Sequence, residues 1–409
     1  MTADATLSAR CRSFVGKGRA ALGEMFGGDV EVASAGAWVH TAAGRRILNC
    51  GGYGVFLLGA RHPTVLDAVA RQLDANPVAT RMLLEPQVVT AAEALVSVAP
   101  PCLAQVYFAC GGAEAVECAI KLARTLGRTH LVAMESGYHG KTMGALSLTA
   151  NPVYRDPFHP LLSGVSHVPF GDADSLGQEL ARHPGTACVV VEPVQGEAGV
   201  RIPPAGYLRE ARALCDEHGA LLVLDEIQTG LGRLGHWWGA DREGVSPDML
   251  LVGKGLGGGI VPVSAVVATR EVFRALDRDP LLHTSTFSGY PLAMAAAAAT
   301  IRAIRDEGLV ARAHTLGERL RPDLDDILTG VLGGRVEEVR GVGLLIGVEF
   351  TVPGLVGDLM AELIGQGVLV NHSMNSPRTL RLTPPAVLDD DDVEFLLRAV
   401  DRAARAVLS

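Results

Sequence analysis

The chain has 409 residues, 48% hydrophobic and 20% charged, with a formal net charge of −9. That length exceeds one compact core, so a large domain with a smaller one beside it is expected. The acidic balance leaves no basic stripe for nucleic acid and no apolar run could cross a bilayer, so the expectation is a cytoplasmic protein whose partners are small molecules.

In chain order, short apolar runs end in glycine or a polar residue and are followed by helical stretches, the alternation of an α/β fold with a mostly parallel sheet. The runs are "VYFACGG" from Val106, "HLVAMESG" from His130, "ACVVVEPVQGE" from Ala187, "ALLVLDEIQTG" from Ala220 and "DMLLVGKGLGGG" from Asp248. Between them, "AEAVECAIKLAR" from Ala113 puts Val116, Ala119, Ile120 and Ala123 on one helical face. "GYLREARALCDEHG" from Gly206 does so with Leu208, Ala211 and Leu214, and Gly219 supplies a C-cap. The alanine-rich stretch Leu292 to Thr300 reads as a buried helix. From about Arg302 the texture changes to a smaller α+β unit: a helix, strands around "VEEVRGVGLLIGVEF", a helix near Leu359 to Gly365, then "GVLVN", "LRLTPP" and a closing helix.

Ligands of open α/β sheets sit beyond the carboxyl ends of the strands. Those ends deliver Gly111, Gly112 and Ala113 at a helix start suited to a phosphate, then Tyr138 and His139, then Glu192, then Asp225 and Gln228, and last Lys254. A phosphate nest, an aromatic, a buried acid and a lysine together point to pyridoxal phosphate. That cofactor needs a carboxylate against its pyridine nitrogen, and Asp225 at the end of an apolar strand would find there the cation it needs. Lys254, between two glycines, can approach closely and form a Schiff base.

Simpler readings compete at each residue. A lone lysine in a glycine turn is usually solvent-exposed, and a lone aspartate after a strand is usually a cap. "GLGRLG" from Gly230 matches a dinucleotide fingerprint in letters, but "DEIQT" separates it from the strand and no helix follows. In "GKGLGGG" Lys254 precedes Gly255, not the Ser or Thr of a phosphate loop. The seven cysteines form no C-x-x-C pair and read as reduced. His139, His159 and His167 lack ligand-like spacing with carboxylates, so no metal is expected.

With these motifs in order, the sequence resembles the class III aminotransferases of fold type I. "LDEIQTGLGRLG", "EPVQGEAGV", "GKGLGGG", "HTSTFSGYPLAMAAA" and "LRLTPP" carry the resemblance, which runs from about Arg45 to the end. It implies a large domain with a mostly parallel seven-stranded sheet over 46–301, a small α+β domain over 302–409, and an N-terminal segment, 1–45, joining the small domain. Residue by residue, Lys254 resembles the Schiff-base lysine, Asp225 the partner of the pyridine nitrogen, Gln228 the neighbour of the ring hydroxyl and Tyr138 the stacking aromatic. Gly112 and Ala113 resemble the phosphate turn. Thr286 resembles a threonine that reaches the phosphate from a neighbouring subunit, which implies a homodimer with shared sites. Arg381 resembles the arginine that grips an α-carboxylate, and Glu197 the acid that pairs with it otherwise.

Within the family, "YHGKTMGALSLTANPVYRDPFHPLLSGVSHVPFGD" looks most like the putrescine and diamine enzymes. Lys141 stands where the ornithine and acetylornithine enzymes resemble one another in carrying arginine, and lysine cannot offer a planar two-pronged contact to a carboxylate. The function implied is transfer of a terminal primary amine from a diamine or ω-amino compound to 2-oxoglutarate. The alternatives are ornithine, acetylornithine or 4-aminobutyrate as donor, or an isomerase or racemase on the same fold. Departures from the family pattern are Cys110 and Gly111 for the usual Asn-Ser, Gly253 for Ala or Ser, and Tyr290 for Asn.

Overall fold

The computed structural model describes residues 3–408. Three strands come first, β1 (Glu31–Ala35), β2 (Trp38–Thr41) and β3 (Arg46–Asn49). Seven follow: β4 (Gln105–Ala109), β5 (His130–Met134), β6 (Val165–Val168), β7 (Ala187–Val191), β8 (Leu221–Asp225), β9 (Met249–Val252) and β10 (Ser264–Ala268). The last five are β11 (Val336–Val342), β12 (Leu345–Phe350), β13 (Val368–Leu369), β14 (Asn371–Ser373) and β15 (Ser376–Leu382).

The middle seven form one sheet in the order β4-β10-β9-β8-β7-β5-β6. All pairs are parallel except those of β10, which is antiparallel to both β4 and β9. Two reversals restore the common direction, so the carboxyl ends of β4, β5, β7, β8 and β9 lie at one edge. All five residues of both β7 and β8 are buried, as continuous apolar runs require when helices cover both faces.

The helix Gly112–Thr125 buries Val116, Ala119, Ile120 and Ala123, the face its periodicity predicts. The helix Tyr207–His218 ends at Gly219 with φ 64°, the left-handed cap that glycine adopts without penalty. It buries Leu208, Ala211 and Cys215, while Leu214 is half-buried. The alanine-rich stretch lies within a longer buried helix, Pro291–Asp306.

Beyond it, the helix Leu309–Leu332 leads to a four-stranded sheet in the order β11-β12-β15-β14. A third sheet, β1-β2-β3-β13, joins the two ends of the chain: Leu48 of β3 pairs in parallel with Val368 of β13. No helix among the described residues is long and apolar enough to cross a membrane.

Candidate active site

A cavity of about 260 Å³ opens at the carboxyl edge of the large sheet. Its walls include Gly112, Ala113, Tyr138, His139, Lys141, Glu192, Glu197, Asp225, Gln228 and Lys254, which the sequence nominates, together with Gly140 and Ile227, which it does not. Gly111, Arg381 and Thr286 stand off the walls.

Asp225 ends β8 and is buried. His139 Nδ1 donates to its Oδ2 at 2.7 Å, and the Ile227 amide donates to its Oδ1 at 3.2 Å. Burial works against a charged His139 ring, but the hydrogen bond to Asp225 and its charge prevail and raise the His139 pKa. The Thr149 hydroxyl accepts from the His139 amide at 3.0 Å and so fixes where the ring starts.

Lys254 opens a short 3₁₀ turn after β9 and holds φ 44°, a left-handed conformation uncommon outside glycine. Burial lowers its pKa to about 8, with Arg381 acting in the same sense and Glu197, Asp225 and Glu192 against it. Glu192 accepts from the Tyr138 amide at 2.9 Å, and burial raises its pKa to about 7. Burial, then the charge of Glu197, push the Tyr138 hydroxyl up to about 12.

Ile227 explains two glycines. A Cβ on Gly112 would stand 3.0 Å from its Cδ1, and one on Gly253 would stand 3.3 Å from its Cγ2. Its branched side chain therefore wedges between the helix start and the lysine turn. In "DEIQTG" it reads only as a single apolar residue in a loop, with no periodicity to mark it.

Gly112 and Ala113 lie in the first helical turn, where amides have no intrahelical acceptor. The amides of Cys110 and Gly111 instead donate to Glu114 Oε2 at 2.8 and 3.4 Å. Cys110 turns its thiol to the Phe287 carbonyl at 3.7 Å. Thr286 lies exposed in the turn beside Phe287.

Arg381, on β15, is fully buried and its Nη1 lies 2.6 Å from Glu197 Oε1. Burial acts to raise the Glu197 pKa, but the charges of Arg381 and Lys254 prevail and lower it. This contact to Glu197 is the one ion pair of the guanidinium among the described residues. Glu197 lines the cavity and Arg381 does not, so the acid stands between the two. Lys141 places its ammonium 3.9 Å from the centre of the Tyr154 ring, a cation–π contact at the cavity wall.

Elsewhere, His130, Glu179 and His183 converge within ligand-like distances. The two rings are stacked, however, with centroids 3.5 Å apart and planes 11° apart, so their in-plane lone pairs run parallel and do not meet at one point.

The family model for aminotransferase class-III matches residues 29–404. The chain belongs to the class III aminotransferases. The match begins earlier than the motifs alone reach, and takes in the sheet that joins the two ends of the chain. Among solved structures, ornithine aminotransferase from Toxoplasma gondii is 30% identical, with TM-score 0.92, over 100% of this chain and 96% of that one. An amine transaminase from an uncultivated Pseudomonas species, in its PLP-bound form, is 29% identical with TM-score 0.86, over 92% and 95%. An (S)-enantioselective ω-transaminase from Thermomicrobium roseum is also 29% identical with TM-score 0.86, over 93% of each chain.

This aminotransferase uses pyridoxal phosphate. The cavity fits that group on its own chemistry. Asp225 is a buried carboxylate facing it, first-turn amides await an anion, and the buried His139 Nε2 and Gln228 Oε1 have no protein partner among the described residues.

Proposed function

We propose that this enzyme takes a terminal primary amine from a diamine or ω-amino donor and passes it to 2-oxoglutarate. The observation that carries this reading is Glu197 standing between the cavity and Arg381. A site for amino acids alone would be served by an open arginine. A covered one also accepts a donor with no α-carboxylate, because the acid neutralises the guanidinium while that donor is present. Likeness to a solved amine transaminase supports the same reading.

Pyridoxal phosphate, when bound, supplies an electron sink for the bond broken at the substrate carbon. Asp225, oriented by His139, would hold the pyridine nitrogen protonated, and Gln228 would meet the ring hydroxyl. Tyr138 would stack on the ring while Ile227 supports the opposite side. Gly112 and Ala113 would bind the phosphate through their amides, and Gly111 would shape that turn. Glu192, which positions the Tyr138 amide, would border the ring. Lys254 would hold the cofactor through its amine, and that amine, when free, would take the proton from the substrate carbon. Arg381 would then bind the α-carboxylate of the keto acid after Glu197 rotates away.

The homodimer rests on an apolar surface. Leu83 and Leu84 are exposed and border one cleft with Val89 and Tyr107, and Leu281, Leu282 and Phe287 add further exposed apolar area beside it. Thr286 sits next to Phe287, where a partner's phosphate turn would meet it. The acidic net charge of −9 and the small enclosed cavity support small-molecule partners.

One observation favours a second reading. The Lys141 ammonium at the wall suits a distal carboxylate, as in ornithine or 4-aminobutyrate, over a second ammonium. The deciding experiment adds putrescine, cadaverine, ornithine, acetylornithine and 4-aminobutyrate singly to the holoenzyme without acceptor and follows its visible spectrum. Loss of the cofactor's visible absorbance with diamines upholds the first reading. Loss only with carboxylate-bearing donors overturns it for the second, and no loss with any of them overturns both.

A further inference from the structure

Glu197 belongs to a tight turn, residues 195–201, closed by paired backbone hydrogen bonds of 3.0 Å between Gln195 and Arg201. The turn is strained at Val200, a β-branched residue that holds φ 56°, while Gly199 takes φ 95° without cost. Such a conformation persists only where surrounding contacts impose it.

The Asn375 amide donates to the Glu197 carbonyl at 2.8 Å and the Met374 amide to its carboxylate at 3.1 Å, and the far half of the turn is held by one row of the β11-β12-β15-β14 sheet. Arg340 of β11 pairs with Gly347 of β12, which pairs with Arg381 of β15. Directly opposed residues of antiparallel strands face the same side, so two arginines flank a position that has no side chain. The turn rests in that gap: a Cβ on Gly347 would stand 3.0 Å from Val200 Cβ and 3.1 Å from the Gly199 carbonyl oxygen. On one side Arg381 holds the Glu197 carboxylate. On the other, Arg340 Nε donates to the carbonyls of Gly199 and Val200 at 2.9 and 3.1 Å, and its Nη2 donates to Gly199 at 2.5 Å.

Arg340 is itself held. It is buried, and its Nη1 lies 2.6 Å from Glu349, another buried residue. Glu349 also meets Arg201 at 3.0 Å and Arg378 at 3.1 Å, so it stays paired if Arg340 is replaced.

We propose that Arg340 is a positioning residue: it fixes the backbone of the 195–201 turn, so that Glu197 covers and uncovers Arg381 by side-chain rotation about an immobile base. This rests on the reading of Glu197 and Arg381 given above. An anchored turn keeps the acid at high effective concentration against the guanidinium, where it competes with any incoming carboxylate. Release of the anchor lowers that competition, and the uncovered population rises. A ligand that binds only the uncovered state then binds more tightly in proportion.

The test is calorimetric or spectroscopic titration of the holoenzyme with glutarate, a dicarboxylate with no keto group to react. Glu197→Gln, which abolishes the covering charge, is expected to tighten glutarate binding on the order of tenfold, the scale of one lost charged contact. Arg340→Gln is expected to tighten it in the same direction. Gly347→Ala keeps every charge but presses a methyl group into the turn, and is expected to do likewise. Arg378→Gln, which removes a Glu349 partner without touching the turn, is expected to keep the wild-type Kd. If Glu197→Gln leaves the Kd unchanged, the covering role of Glu197 fails and this proposal with it. If Glu197→Gln tightens binding while Arg340→Gln and Gly347→Ala do not, the covering role survives and the anchoring role of Arg340 is overturned. A shift with Arg378→Gln equal to that of Arg340→Gln also overturns it, by showing general loosening. Gly347→Ala decides the matter should Arg340→Gln fail to fold.

Discussion

His139 Nδ1 and Asp225 Oδ2 are 2.7 Å apart, and both side chains are buried at the carboxyl edge of the sheet. The carboxylate therefore enters the cavity in one orientation. Asp225→Asn keeps its shape and removes its charge, and kcat is expected to fall on the order of 10²–10³-fold, as when a preorganised electrostatic partner is lost. His139→Ala leaves the charge but frees its direction, and a loss of roughly tenfold to 100-fold is expected, the range seen when an orienting neighbour is removed. Steady-state kinetics of the two variants check the order; a larger loss at His139 would reverse the assignment.

The low pKa of Lys254, about 8, sets a pH dependence. Below that value the folded protein holds an ammonium, which cannot attack the cofactor's aldehyde, and the reactive amine falls tenfold for each pH unit. Attachment of pyridoxal phosphate to apoenzyme, followed by stopped-flow absorbance, should accelerate with pH and level off above about 8. An ordinary lysine would keep accelerating to about pH 10.4. Lys254→Ala should bind the cofactor without the covalent signal and without turnover.

Lys141 is expected to separate the two proposed donor classes. Lys141→Ala removes a cation from the wall, so kcat/KM for ornithine and 4-aminobutyrate should fall while that for putrescine holds or rises. Lys141→Arg keeps the charge in a form that can grip a carboxylate with two parallel bonds, so carboxylate-bearing donors should gain. The expected changes are about threefold to tenfold, the worth of one partly solvated ion pair. Donor competition assays measure them directly.

Gly196 is a place where function and stability should part. A Cβ there would stand 1.4 Å from Gln228 Oε1, the free end of a movable side chain. Gly196→Ala should leave the thermal unfolding midpoint close to wild type, because the amide can swing aside. It should lower kcat on the order of 10²-fold, since Gln228 leaves its place beside the cavity.

Leu84 is fully exposed in the apolar surface proposed as the subunit contact. Leu84→Arg would force an unpaired cation into that contact, and sedimentation should show dissociation toward monomer at concentrations where wild type stays assembled. Loss of cofactor on dissociation would support a site shared between subunits, to which Thr286 is proposed to contribute.

Much of this architecture is legible in the chain because it is written locally. β7 and β8 are covered on both faces, so their apolar runs stand out, and glycine and acid residues mark where each run meets the cavity. β6 is a short edge strand with two polar residues of four, and β10 continues an apolar run, interrupted by Pro262, that leaves the glycine-rich turn, so neither has a marked start. The reversed direction of β10 depends on neighbours remote in sequence. Ile227 has no period to announce it. The Glu197–Arg381 pair is visible only through family resemblance, because the two residues meet by the docking of one sheet on another. The Arg340 row is invisible for the same reason: cross-strand register is a property of pairing and not of any one segment.

β4 has one hydrogen-bonding neighbour in the sheet, and that neighbour is β10. The turn after β4 carries Gly112 and Ala113, so the proposed phosphate seat is tied to a strand that leaves the ribosome long after it. Until residue 268 is available, β4 has no strand to pair with and its apolar side chains have no sheet to join. A nascent chain thus cannot hold the cofactor early and use it as a folding template. Cofactor capture therefore waits until the chain has been made through β10.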